Sequence, residues 1–160
     1  MSINRFSAFV LTTAALAFGV SANALTATQK VQKEITVEQA DGSSVTQLVP
    51  AGEVTPGEKI VYTVEVLNDS DSPASDLVLA MPVPTDIRFL EGTADKSGAI
   101  VKYSTDDGVS FKARDALVLP AVGGGTRPAS ADDITHIQWR IAGPVPVGAT
   151  DAVSFKGRLK

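Results

Sequence analysis

Between Ile60 and Val66 every second residue is apolar: Ile60, Tyr62, Val64 and Val66 fall on one side of an extended chain, Thr63 and Glu65 on the other. A period of two is that of a half-buried β-strand, whose successive side chains point to opposite faces. The segment 135–141 repeats the pattern more clearly, with Ile137, Trp139 and Ile141 facing one way and His136, Gln138 and Arg140 the other. A third alternation closes the chain, where Val153, Phe155 and Leu159 point inward and the charged positions outward. Less regular strands are expected at 31–39, 45–49, 77–81, 87–91, 100–104, 109–112 and 117–119.

Turn residues punctuate these runs. Asp41-Gly42, Pro56-Gly57, Asn68-Asp69-Ser70-Asp71, Pro82 with Pro84, Asp107-Gly108, the triple glycine 123–125 and Gly143-Pro144 lie between the alternating segments. Beyond the first 24 residues no stretch of about ten residues carries the helical period. The pattern therefore predicts an all-β chain, an Ig-like antiparallel β-sandwich of two sheets packed face to face. Its core is expected at Tyr62, Val64, Trp139 and Phe155, with Trp139 central because it sits on the apolar side of the best alternating strand. Segment 121–133, with its glycines, Pro128 and two acids, reads as a loop.

The first 24 residues break this pattern. They hold one charge, Arg5, an uncharged run from Phe6 to Val20, and then Ser21-Ala22-Asn23-Ala24. Small residues at the two positions a signal peptidase reads predict a cleavable signal peptide over 1–24, since the apolar run is shorter than the roughly 20 residues that cross a bilayer. Cleavage would leave residues 25–160 as one domain, exported to the periplasm, the cell surface or the medium, with no membrane span after cleavage.

Composition then narrows the chemistry. The leader would take only Arg5 of 14 basic residues, leaving 13 against 18 acidic ones. Nucleic acid is an unsuitable partner, because phosphate binding needs a basic face. The chain has no cysteine, so disulfides, thiol chemistry and the usual structural zinc sites are ruled out. Its single histidine, His136, falls on the polar side of the Trp139 strand and reads as a surface residue. No nucleophile elbow, zinc-binding helix motif or phosphate loop is present. No catalytic or cofactor-binding residue is assigned, and the chain reads as non-enzymatic.

Two kinds of acidic position remain. Asp69 and Asp71, Asp106 and Asp107, and Asp132 and Asp133 could supply hard oxygen ligands to calcium, although none matches the twelve-residue calcium loop. Solvated turns are the competing reading, because Asp and Asn stabilise turns through their own side chains. The stretch Ser104-Thr105-Asp106-Asp107-Gly108-Val109-Ser110-Phe111 also fits the Asp-box pattern, S/T-x-D-x-G-x-S/T-W/F. In sialidase-like propellers that motif recurs across blades, away from the reacting centre. One copy here reads as a structural hairpin turn shaped by Asp106, Gly108 and Phe111. A small glycan-acting enzyme is the weakest alternative.

Segment order carries a resemblance over residues 54–160. Pro56-Gly57, Tyr62-Thr63, Val66-Leu67-Asn68, the apolar strand 77–81, Pro82-Val83-Pro84, the strand 87–90, Trp139, Val147-Gly148-Ala149 and the strand 153–159 follow in sequence. This order resembles the conserved-repeat domain of bacterial surface proteins, domain of unknown function 11, with Val147-Gly148 where that family often has Pro-Gly. The resemblance implies an Ig-like, extracellular, non-enzymatic structural or interaction module whose partners are protein or glycan at the cell surface, including a second copy of itself. Contacts are expected from loops 68–74 and 121–133. A self-assembling fibre subunit is the alternative, because segment 25–38 reads either as a free arm for strand addition or as the first strand.

Overall fold

A computed structural model describes residues 25–160, and the expected leader lies outside them. The described residues form ten strands: β1 (Leu25–Glu38), β2 (Ser44–Pro50), β3 (Lys59–Asn68), β4 (Val78–Pro82), β5 (Ile87–Phe89), β6 (Ala99–Ser104), β7 (Val118–Pro120), β8 (Thr126–Pro128), β9 (His136–Ile141) and β10 (Thr150–Leu159). Short 3-10 turns at Arg114–Ala116 and Ala131–Asp133 are the only helical elements among the described residues. The chain is all-β.

Strands β2-β1-β3-β10-β5 make a five-stranded sheet, β4-β9-β6 a three-stranded one and β7-β8 a two-stranded ribbon. Every strand pairing is antiparallel. The alternation in β9 matches its burial, with Ile137, Trp139 and Ile141 all buried. β3 is less simple: Ile60, Tyr62 and Val66 are buried, but so is Val61 on the opposite face, and Val64 is only partly buried. Phe155 of β10 lies opposite Tyr62 in the ladder, and their rings stack with centroids 5.0 Å apart.

One core joins the two larger sheets. Ile60, Tyr62, Phe89, Val153 and Phe155 of the five-stranded sheet belong to the same buried cluster as Met81, Tyr103, Ile137 and Trp139 of the three-stranded sheet. Phe89 links them directly, with ring contacts to Tyr103 and Phe155. Trp139 is fully buried, and its indole N–H donates to the Ala94 carbonyl at 2.7 Å. That bond lets an aromatic with a polar atom fill the centre of an apolar core.

Three expectations change. Segment 109–112 alternates but forms no strand, only a single bridge between Tyr103 and Lys112. The expected loop 121–133 contains the short β8 and a 3-10 turn; the rest, including the tip where Gly123, Gly124 and Gly125 all take positive φ, is irregular as expected. Finally, segment 25–38 is a paired strand: residues 25–33 pair with β3 and residues 32–38 with β2. No free arm is present at this end of the described chain.

Candidate functional site

The Asp-box stretch forms a closed turn beside β9. Tyr103 and Lys112 exchange both backbone hydrogen bonds, at 2.8 and 3.0 Å, and close the loop at its base. At its tip Val109 N donates to Asp106 O, with Asp107 and Gly108 both at positive φ, as a type I′ turn requires. Every polar position of the motif is used inside the turn. The Asp106 carboxylate accepts from the Ser104 hydroxyl at 2.6 Å, the Ser110 amide at 2.9 Å and the Ser110 hydroxyl at 2.6 Å. The buried Ser104 oxygen accepts in turn from Gly108 N.

Gly108 is needed twice. Its φ is +83°, and a Cβ there would lie 3.3 Å from the His136 ring. His136 is consequently half-buried against the turn rather than free on a surface, and its Nδ1 is buried without a hydrogen-bond partner. Phe111 is half-buried at the base of the loop, while Asp107 donates its backbone N–H to Thr135 Oγ1 and leaves its carboxylate exposed.

These hydrogen bonds hold the Asp106 carboxyl down at about 2, the Ser104 hydroxyl contributing most and the Ser110 hydroxyl and amide following. A depressed carboxyl stabilises the fold above its unfolded value of about 3.9 and loses that contribution as pH falls through its folded value. Asp106→Asn should therefore melt below the parent protein near pH 6, and the gap should narrow as pH falls from about 4 to about 2. A melting difference of constant size across that range would show that Asp106 does not act through its charge.

Of the other acidic candidates, Asp132, Asp133 and Asp69 are engaged elsewhere, and Asp71 is exposed at the 68–74 turn. Asp132 takes a two-point contact from Arg88, at 2.9 and 2.5 Å, and Lys160 lies 3.8 Å away. Asp133 is gripped by Arg127 at 2.7 and 2.9 Å and also caps Ser130, so its carboxyl is held well below the usual range by Arg127 first and Ser130 second. Asp69 accepts from Thr26 Oγ1. Among the described residues no three His, Asp or Glu side chains come together as a metal-ion site. Sequence reasoning missed the Arg88 partner because Arg88 and Asp132 are 44 positions apart, and the Arg127–Asp133 pair because segment 121–133 read as an open loop.

Loop 68–74 is built on Asn68, which is fully buried. Its amide nitrogen donates to Ser72 O and Val145 O, and its side-chain oxygen accepts from Ser70 N and Oγ. The turn after β3 is thus braced from inside rather than merely solvated. Next to β6, Lys96 and Arg114 line a recess of about 550 Å³ whose floor includes Val101 and Tyr103. Both cations are already paired, Lys96 with Asp151 at 2.7 Å and Arg114 with Glu91 at 2.6 Å. Asp95 and Ser97 also line the recess, and burial pushes the Tyr103 hydroxyl up, away from the ionised form a nucleophile needs. Comparison with protein-family models, curated proteins and solved structures finds no match to this chain.

Proposed function

We propose that this chain is an exported, non-enzymatic Ig-like β-sandwich that acts as a structural or interaction module at the cell surface or outside the cell. The observation that carries this reading is the shared core: side chains of a five-stranded and a three-stranded antiparallel sheet meet around Trp139 and Phe155. Two sheets packed through their inner faces make a sandwich. The polar clusters support the same reading, because the Asp106 and Asp133 carboxylates are spent on turn amides, hydroxyls and an arginine. Such groups fix loops; they do not activate water or a nucleophile.

The order Pro56-Gly57, Tyr62-Thr63, Asn68, Pro82-Val83-Pro84 and Trp139 supports placing it with the conserved-repeat domains of bacterial surface proteins. In this reading partners meet the loops that the sheets hold out. Segment 68–74 is rigid through Asn68, while the β7-β8 tip presents Val122, fully exposed beside three glycines. An exposed apolar residue at the tip of a projecting ribbon is suited to a protein or glycan surface.

Expression of the whole sequence in a bacterial host should yield a protein whose intact mass begins at Leu25 and which added protease reaches on unbroken cells. Purified protein should also bind those cells, and replacing 69–73 and 121–125 with Gly-Ser segments should remove that binding while leaving the melting temperature near its parent value. A chain retained in the cytoplasm with Met1, binding that survives both replacements, or turnover of glycosidase substrates would each overturn the reading.

A further inference from the structure

Strand β1 outruns its neighbour β2. Only residues 32–38 pair with β2, while residues 25–33 pair with β3 on the other side. The direction of the backbone groups follows from two bonds: Val31 O accepts from Ala51 N, and Gln39 N donates to Ser43 O. In an antiparallel pair a residue sends its N–H and C=O to the same side, alternating along the strand. Odd-numbered residues of β1 therefore face the side that β2 occupies. Leu25, Ala27 and Gln29 direct their N–H and C=O into a lane with which no described strand pairs.

Unpaired backbone groups in a row are a template for another strand, and proteins usually protect such rows with lysine, proline, a short strand or a cover. The other end of this sheet is protected in that way: β5 has three residues, and its Arg88 is tied to Asp132 in the adjoining 3-10 turn. On β6, Lys112 caps the outward groups of Tyr103. The lane beside β1 has none of these devices. Leu25, Thr26, Ala27, Thr28 and Gln29 include no charge and no proline, and all five are exposed. Val31 is 40% exposed on the same face as Leu25, at 39%.

We infer that this lane is an interface for a second copy of the chain, formed by antiparallel pairing of β1 with β1 about a two-fold axis at Ala27. Parity requires odd residues to face odd residues. Ala51, bonded to Val31, closes one end of the lane and stops a partner from sliding further. The register that fits sets Ala27 opposite Ala27 of the second copy, Leu25 opposite Gln29, and Thr26 opposite Thr28. Each outward N–H and C=O of one copy then meets its complement on the other. Leu25 of the second copy comes diagonally beside Val31, at the recess of about 240 Å³ lined by Lys30, Val31, Gln32 and Pro50. No charged side chain lies in the paired stretch, the α-ammonium groups that leader removal leaves on the two Leu25 residues sit at its opposite ends, and the two-fold axis closes the assembly at two copies. The outer edge of β2 is also uncharged, but nothing there sets a register. Pairing requires that the chain before Leu25 leave the lane before reaching Ala51; removal of the leader does this, and intact mass reports it separately from association.

Single cysteines test the register, because the chain contains none. Facing residues in an antiparallel pair have Cα atoms about 4.5–5.5 Å apart, within disulfide range. With glutathione disulfide as oxidant, taking up the two electrons and two protons released as one S–S bond forms, Ala27→Cys should cross-link to a dimer by itself. Thr26→Cys and Thr28→Cys should each stay uncross-linked alone and cross-link when mixed. Gln29→Pro, which removes an outward N–H and no bond to β3, should weaken the sedimentation-detected dimer about tenfold or more while the melting temperature of the dilute monomer holds. Thr46→Lys, on the β2 edge, should leave the dimer intact. A monomer at all concentrations, cross-linking of Thr26→Cys alone, oligomers larger than two, or loss of the dimer in Thr46→Lys would overturn the assignment.

Discussion

Replacing Trp139 with alanine should cost about 3–5 kcal/mol of unfolding free energy, the range for removing a fully buried large aromatic. Trp139 is 0% exposed and sits mid-strand in β9, between Leu79 of β4 and Val101 of β6 in the ladder. Both flanking residues are partly buried against the same core, so they offer limited material to collapse into the space left behind. The substitution also strips the Ala94 carbonyl of its donor inside a residue that is itself 0% exposed. Trp139→Phe separates the two losses: it keeps most of the ring volume and forfeits the hydrogen bond, at a cost of about 1–3 kcal/mol. Urea unfolding followed by circular dichroism measures both, since the sole tryptophan cannot report on its own removal. A loss below about 1 kcal/mol for Trp139→Ala would mean that the two sheets are not joined through this side chain.

That β9 could be read from the sequence is a consequence of where it lies. It is the middle strand of the three-stranded sheet, apolar on one side and polar on the other, so alternation and burial coincide at Ile137, Trp139 and Ile141. β3 lies in the middle of the larger sheet, and there Val61 is buried on the face that Thr63 and Glu65 made look polar. Pattern alone could not show that Glu34 of β1 reaches across this face to Lys59 and Lys156. β1 was legible without an alternative only from residue 31, since segment 25–38 read equally as a free arm or as the first strand. Leu25 to Lys30 form a strand because their backbones bond to β3, and backbone bonding leaves no trace in side-chain type.

Segment 109–112 failed in the opposite way. Val109 and Phe111 alternate with polar residues, yet Val109 is 85% exposed and no ladder forms. The competing force was visible in the same stretch: Ser104, Asp106 and Ser110 bind one another's hydroxyls and amides and curl the backbone into a turn. The Asp-box reading as a structural turn and the strand reading of its second half could not both hold. Hydrogen bonding to Asp106 is the stronger of the two because an ionised acceptor makes bonds roughly twice as strong as neutral ones.

Gly157 has a role that only the packing reveals. A glycine inside an alternating strand marks a close approach. Here the strand is β10, with Ile60 of β3 opposite on one side and Phe89 of β5 on the other. A Cβ at Gly157 would stand 2.1 Å from Ile87 Cγ2 and 3.2 Å from Arg88 O. Ile87 is buried, so its methyl cannot swing into solvent, and the backbone of β5 would have to shift. Gly157→Ala should cost about 1–3 kcal/mol, and Gly157→Val, with two further methyl groups, about 3 kcal/mol or more. Ile87→Ala alone should cost about 2–5 kcal/mol as a cavity in the core. Combined with Gly157→Ala it should cost less than the two added, because the new methyl enters the space the isoleucine leaves. Urea denaturation of the four proteins in that cycle gives the coupling directly. Additive losses would show that the obstruction at Gly157 is not Ile87, and that β5 is held against β10 by something other than this contact.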